Sequence, residues 1–438
     1  MSDTHAQTVS YVRDKMLPEQ SPPASEVGVV RWTRENLFSS PLNAILTLLS
    51  LYVIYWVFSH VGPWLMGGIW DAGSLSECRE IRDATVGNDH NVACFAVISA
   101  RWHQLLFGYY PSELYWRPVL ALIVFLAGLA PILFSGAPRK LFYVSAAAPF
   151  LCFWLLWGGS IWLPISAALG FAVGYFAYAP LTKAFGSLAG IIGAIVLPLA
   201  YWLFLAGTVY GTLDSILPIG IQFVESRAFG GFMLSVVIGL SAIVLSLPLG
   251  ILLALGRQSD LLIIKTFSVV FIEVIRGVPL IVWLFTAQLL LNYFLPPGSN
   301  FDLTLRVIIM VTLFAAAYIA EVVRGGLAAL PKGQYEGADS LGLSYWQSMQ
   351  LIILPQALKI SIPGIVNTFI GLFKDTTLVV FIGLFDPLGI ASAVRATTEW
   401  NGIYWELFIF IGVMFFIACF SMGRYSLYLE RLLQREHR

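Results

Sequence analysis

Six charged side chains, Glu273, Arg276, Glu321, Arg324, Lys374 and Asp375, fall inside or at the ends of long apolar stretches. An unpaired charge in the middle of a bilayer costs about 2.5–3.5 kcal/mol or more, so each must find water, a partner or a solute. Helix breakers stand in the same stretches: Pro248, Gly277 and Pro279 directly after Arg276, and Pro363, Gly364 and Gly371 before Lys374. A proline removes a backbone donor and frees carbonyls that only a cavity or neighbouring protein can satisfy. Cations and carboxylates beside broken helices could hold a zwitterion. They could equally be structural: Glu273 with Arg276, and Glu321 with Arg324, are three residues apart on one helical face, the spacing of an intrahelical pair, and long side chains near helix ends can snorkel. Lys374 and Asp375 are adjacent, point apart, and need partners elsewhere. Catalysis has no comparable footing, because no nucleophile–base pair, metal-ligand spacing or phosphate-binding loop is present. Any ATP must therefore bind another subunit.

The second candidate lies between two apolar stretches, in EGADSLGLSYWQSMQLIILP at 336–355. Gly342 follows a short helical run where a left-handed C-cap residue belongs, and Ser344 with Gln347 makes a capping box that opens another helix. Pro355 reads as the stop of that second helix. Two short helices meeting at a glycine corner form a knob suited to a groove in another protein. The spacing Glu336, Gly337, Ala338, Gly342, Ile352, Leu354, Pro355 resembles the EAA loop of bacterial ABC importer permeases, which in that family is cytoplasmic and seats its first helix in a cleft of the ATPase. Gly337 stands where alanine is usual, a small-for-small change that lowers helix propensity.

Further segments resemble the polar amino-acid branch of those permeases: SLPLGILLALGR (246–257), FIEVIRGVPLIV (271–282), AYIAEVVRGGL (317–327) and NTFIGLFKDTTLV (367–379). With its long N-terminal extension the chain is similar to the larger permease subunit of general L-amino-acid and glutamate/glutamine/aspartate/asparagine systems. The resemblance implies a type I ABC importer permease core in the C-terminal half. It implies a second permease subunit, two copies of an ATPase that uses ATP and Mg, and a periplasmic amino-acid-binding protein, with no cofactor held by this chain. The alternative is a stand-alone carrier in which Glu273, Glu321 and Asp375 take protons or sodium.

These residues need a membrane scaffold, and composition supplies one. Of 438 residues 58% are hydrophobic and 11% charged, far from the roughly 25% charged of soluble domains. The fold class is all-α integral membrane, surrounded by membrane lipid, and the zero net charge gives no footing for a nucleic-acid partner. Ten apolar stretches are long enough to cross: 42–66, 117–135, 141–163, 165–181, 187–210, 230–256, 266–295, 304–325, 361–385 and 403–425. Pro164 could join the third and fourth as one broken helix. The order is a tail (1–40, mostly irregular), an N-terminal transmembrane extension (41–210) with an outer loop at about 67–116, a linker (211–228), and a core (229–430) carrying the loop 331–358. With that loop cytoplasmic, sixteen Lys and Arg fall inside and seven outside, as the positive-inside rule requires. Both termini are then cytoplasmic, in a bacterial inner membrane. Cys78 and Cys94 lie in the outer loop, where an oxidising compartment would let them pair or leave them as two thiols. Cys152 and Cys419 sit inside spans as packing residues.

Overall fold

The computed structural model describes residues 28–87, 91–134, 136–290, 293 and 302–435. It divides into two compact units. Of the described residues, the first comprises those up to Ile69 together with those between Glu80 and Ala93. It begins with α1 (Gly28–Asn36) and α2 (Pro41–Met66). The irregular tail expected at 1–40 is therefore helical over α1, where Arg31 pairs with Glu35 one turn on, at 2.8 Å. Residues 1–27 of that tail lie outside the described residues. Ser40 caps α2 by accepting the Asn43 N–H at 3.2 Å, and Pro41, whose missing N–H no helix start needs, follows it.

The second unit takes in Trp70–Arg79 and everything from Cys94 onward. Its outer segment holds the first turns of α3 (Leu75–Thr85) and then α4 (Ala96–Phe107). The extension follows as α5 (Trp116–Leu133), α6 (Leu141–Trp157), α7 (Trp162–Phe185), α8 (Ser187–Ala200) and α9 (Ala206–Ile216), the last two joined through a π turn at Tyr201–Leu205. The core is α10 (Gly231–Arg257), α11 (Leu262–Gly277), α12 (Leu280–Phe285), α13 (Leu303–Ala328), α14 (Lys332–Ser340), α15 (Tyr345–Ser348), α16 (Leu354–Asp375), α17 (Pro387–Arg395) and α18 (Trp405–Arg435). Among the described residues eight helical stretches are long and apolar enough to cross a membrane. The bent pair α11–α12 makes up to nine, and the tenth stretch expected to cross falls on α6, an apolar helix of only 17 residues.

Three boundaries differ from the reading of the sequence, the first being the start of the linker placed at 211–228, since α9 runs on to Ile216. The span placed at 266–295 is not one helix: it turns by 103° between α11 and α12, because Pro279 cannot donate to a continuing ladder and instead sits at the start of α12. Pro164 breaks nothing, since it lies in the first turn of α7, where proline is tolerated. The break comes earlier, at Gly158 and Gly159, whose φ values of 74° and 78° turn the chain into a two-residue strand, β1 (Gly159–Ser160), paired antiparallel with β2 (Gly220–Ile221).

Extension and core share one hydrophobic cluster. Tyr110, Ala121, Leu155 and Trp157 pack with Phe229, Leu234, Val307 and Leu384 across the segment 211–228. Gly108 bridges to Phe229, and a β-carbon on it would come within 2.3 Å of the Gly230 backbone, so only glycine permits the approach.

Candidate functional site

α14 opens after Pro331 and is pinned from beneath. Tyr335 donates to the Leu327 carbonyl at 3.4 Å, and Gln356 Nε2 donates to Gln334 Oε1 and to the Ile352 carbonyl, each at 2.9 Å. Ala338 is buried, whereas Glu336 and Gly337 face outward. The helix ends as a Schellman motif: Gly342 has φ 69°, its N–H reaches the Asp339 carbonyl at 2.9 Å, and the Leu343 N–H reaches Ala338 at 3.3 Å. Gln347 Oε1 then accepts the Ser344 N–H at 3.0 Å and its hydroxyl at 2.9 Å, the capping box of α15. Around this corner Leu341, Trp346 and Leu351 are 74%, 58% and 69% exposed. Ile352 and Leu354 instead pack against the cluster of Leu327, Leu330, Met349 and Ile353.

Pro355 is not the stop it was read as. A π turn at Met349–Ile353 carries α15 straight into α16, with Pro355 in the first turn of the latter. The wider turn gives the proline ring room and asks no hydrogen bond of its missing N–H. The knob is thus one short helix, α14, hinged by glycine to the foot of a long one.

Four of the six charged candidates come together, with Arg257, the last residue of the segment 246–257, as a fifth member. Arg257 Nη1 lies 2.8 Å from Glu273 Oε1 and 2.8 Å from Glu321 Oε1. Arg324 reaches the Glu321 carboxylate at 3.0 and 3.1 Å, the expected i,i+3 pair. Arg276 lies 3.5 Å from Glu321 and over the Tyr318 ring at 5.5 Å. The pairing expected between Glu273 and Arg276 is therefore replaced: each turns to another helix, because α10 ends beside α11 and supplies Arg257 as a better-placed donor. Glu321 is the hub that joins α10, α11 and α13. Lys374 and Asp375 stand apart at the end of α16, and among the described residues no ion pair links them to this network.

Other buried polar residues gave no signal in the sequence. Arg306 is buried in α13 and donates to the Ala287 and Gln288 carbonyls at 3.0 and 3.1 Å. A cation there meets carbonyls of the π turn Thr286–Leu290 that follows α12. Gln288 in turn donates to the Ile382 carbonyl at 2.9 Å. Arg117 is fully buried as well and donates to the Leu155 and Gln222 carbonyls at 2.6 and 2.8 Å. In the outer segment Cys78 and Cys94 are joined, their Cα atoms 6.0 Å apart, while Cys152 and Cys419 are free. The joined pair is fastened to the core where the Cys94 N–H donates to the buried Glu406 at 2.9 Å and the Leu75 N–H to the Glu399 carbonyl at 2.8 Å.

Residues 246–435 match the family described as "Binding-protein-dependent transport system inner membrane component". The chain is 56% identical, over 100% of its own length and 100% of the relative's, to the glutamate/glutamine/aspartate/asparagine transport system permease protein BztC of Rhodobacter capsulatus. It is 36% identical to the inner membrane amino-acid ABC transporter permease protein YhdY of Escherichia coli, over 91% of this chain and 92% of that one. The probable glutamine ABC transporter permease protein GlnP of Bacillus subtilis is 31% identical, but its match takes 94% of that protein and only 47% of this chain. The stand-alone carrier gives way to these relationships. A bent span, a glycine-hinged loop and full-length identity to extended permeases agree: the chain belongs to the amino-acid permeases of binding-protein-dependent ABC importers, among those that carry a long N-terminal extension.

Proposed function

We propose that this permease carries polar L-amino acids of the glutamate, glutamine, aspartate and asparagine type and is driven through the Glu336–Gly342 corner by a separate ATPase. The substrate class follows the full-length relative. The chain performs no catalysis itself. It works beside a second permease, with two ATPase copies on the cytoplasmic face and a periplasmic binding protein delivering solute, and both termini are cytoplasmic. The observation that carries the coupling assignment is the corner itself, with Glu336 and Gly337 outward, Ala338 inward, and Leu341 and Trp346 exposed beside them. Apolar side chains left open on a short polar helix are suited to a groove in a partner. For the solute path the reading narrows to Lys374 and Asp375, since Glu273, Arg276, Glu321 and Arg324 are engaged with one another and with Arg257.

The test uses Gly342→Asp. A β-carbon at Gly342 meets nothing within 4 Å, so the substitution strains only the left-handed corner, by about 1 kcal/mol, and leaves the permease packing alone. The expected outcome is normal abundance in the membrane, lost uptake, and lost stimulation of ATP hydrolysis by loaded binding protein in reconstituted vesicles. Glu336→Ala should weaken retention of the ATPase, since truncating one partner of a desolvated interface pair costs roughly 2–5 kcal/mol. Unchanged uptake and stimulation in both variants would remove the coupling role from this loop.

A further inference from the structure

Between α5 and α6 of the extension and α10 of the core lies a cavity of about 310 Å³. Ala121 and Phe125 of α5, Cys152 of α6, Val236 and Leu240 of α10, and Met414 of α18 all face it. Among the described residues that line it none is charged, and its polar groups are few: the Ser241 hydroxyl and the Cys152 thiol, which already donates to the Ala121 carbonyl at 3.3 Å. It sits among the first turns of α5, α10 and α18, all on the face of the bundle opposite the coupling loop, with Leu106 and Phe107 of α4 above it.

The chemistry of the walls selects the occupant. Water needs two to four polar partners to stay in a cavity, and apolar cavities remain dry. A zwitterionic amino acid finds no counter-charge here, and its charges would be stripped of solvent. What the walls favour is a flexible apolar chain, which restores the dispersion contacts an empty cavity forfeits. The mouth opens past Val119 and Leu122, which are 46% and 41% exposed and run on into the bilayer-facing residues Leu120, Ile123 and Leu126 of the same helix. That surface is in contact with lipid tails by virtue of spanning the membrane.

We propose that this cavity is a lipid site, which takes one acyl chain of a phospholipid from the leaflet opposite the coupling loop and uses it to fill the joint between extension and core. The experiment reconstitutes the intact transporter in phospholipid nanodiscs doped with a phospholipid that carries a diazirine in mid-chain, and maps the photo-adducts by peptide mass spectrometry. Adducts are expected on the stretch 236–241 and on 121–125, in excess over Ile191 and Ile195 of α8, which are more exposed at 50% and 58%. Adducts that simply follow exposure, heavier on α8 than on α10, overturn the proposal. Ser241→Phe and Ala121→Phe fill the space from different helices, so one can serve if the other fails to assemble. Each should cut labelling at 236–240 several-fold and leave α8 unchanged. Labelling at 236–240 that persists in the filled variants overturns the site, as does a stretch silent in the intact transporter but labelled in the isolated subunit, which would assign the space to a partner's side chain.

Discussion

Asp386 carries a charge where the fold gives it little to pair with. It caps α17 by accepting the Gly389 N–H at 2.8 Å and is wholly buried, with Oδ2 lacking any partner. Burial pushes its carboxyl up to about 6, against the opposing pull of the Gly389 and Leu388 N–H groups. A folded-state value above the ordinary one means the native state binds the proton more tightly than the unfolded chain. Stability from this residue is therefore present below about pH 4 and is lost as pH rises through 6, by roughly 3 kcal/mol. Asp386→Asn keeps the cap and removes the charge. It should raise the thermal midpoint of the solubilised protein at pH 8, with the gain shrinking toward pH 4; a difference that does not vary with pH would mean the ionised carboxylate is not the cost. Nothing in the sequence marked Asp386, because an aspartate before a proline reads as an ordinary helix start. Gly342 and Ser344 were legible for the converse reason: a left-handed corner and a capping box are set by neighbours in the chain. Arg117, Arg257 and Arg306 were visible as charges, yet their burial and pairing depend on elements far away in sequence.

Among the elements, the ion network has an unequal geometry that can be tested. Glu321 is the shared acceptor of three arginines, and its side chain is 18% exposed against 41% for Arg324. Removing the hub leaves Arg257, Arg276 and Arg324 with one remaining carboxylate, Glu273, so like charges on three helices lose their common counter-ion. Glu321→Gln should destabilise by roughly 1–3 kcal/mol, a partly screened charge-assisted interaction, whereas Arg324→Gln should cost well under half of that. Thermal unfolding of the purified variants decides it, and equal losses would show that Glu321 and Arg324 act only as a local pair. Arg276→Gln separates structure from substrate: engaged as it is with Glu321 and Tyr318, it should lower uptake of acidic and neutral amino acids alike, while a loss confined to acidic ones would return Arg276 to the solute path. Element type was readable from hydropathy, since each of the ten apolar stretches holds a helix. Element continuity was not: Pro279 bends a span and Pro355 does not end one, because a π turn ahead of a proline leaves no trace in the periodicity.

At the scale of the whole molecule, the halves that differ in sequence information do not differ in packing. Trp157 of α6 is buried in the shared cluster and its indole N–H points at Asp302 Oδ2, 3.4 Å away, the carboxylate whose other oxygen caps α13 by accepting the Leu305 N–H at 3.0 Å. The Trp157 carbonyl also accepts the Val224 N–H at 2.8 Å, so α6 of the extension, the linker and α13 of the core meet at one residue. A boundary at 211–228 was legible because every recognisable motif begins after it, but no sequence pattern could show that Tyr110 and Leu155 bury themselves against Phe229 and Leu384. If the shared cluster holds the two parts together, a chain cut in the exposed stretch at 217–218 and co-expressed as two fragments should reassemble, since such loops tolerate breaks and the joint is a core rather than a linker. A tag on the C-terminal fragment should retain the N-terminal one in mild detergent. Trp157→Ala, which removes a buried aromatic at a cost of roughly 3–5 kcal/mol, should abolish retention and lower the amount of C-terminal fragment in the membrane. A C-terminal fragment that accumulates normally and restores uptake alone would make the extension an accessory, as the half-length match to GlnP allows, and would leave the packing around Trp157 without a part in holding the permease together.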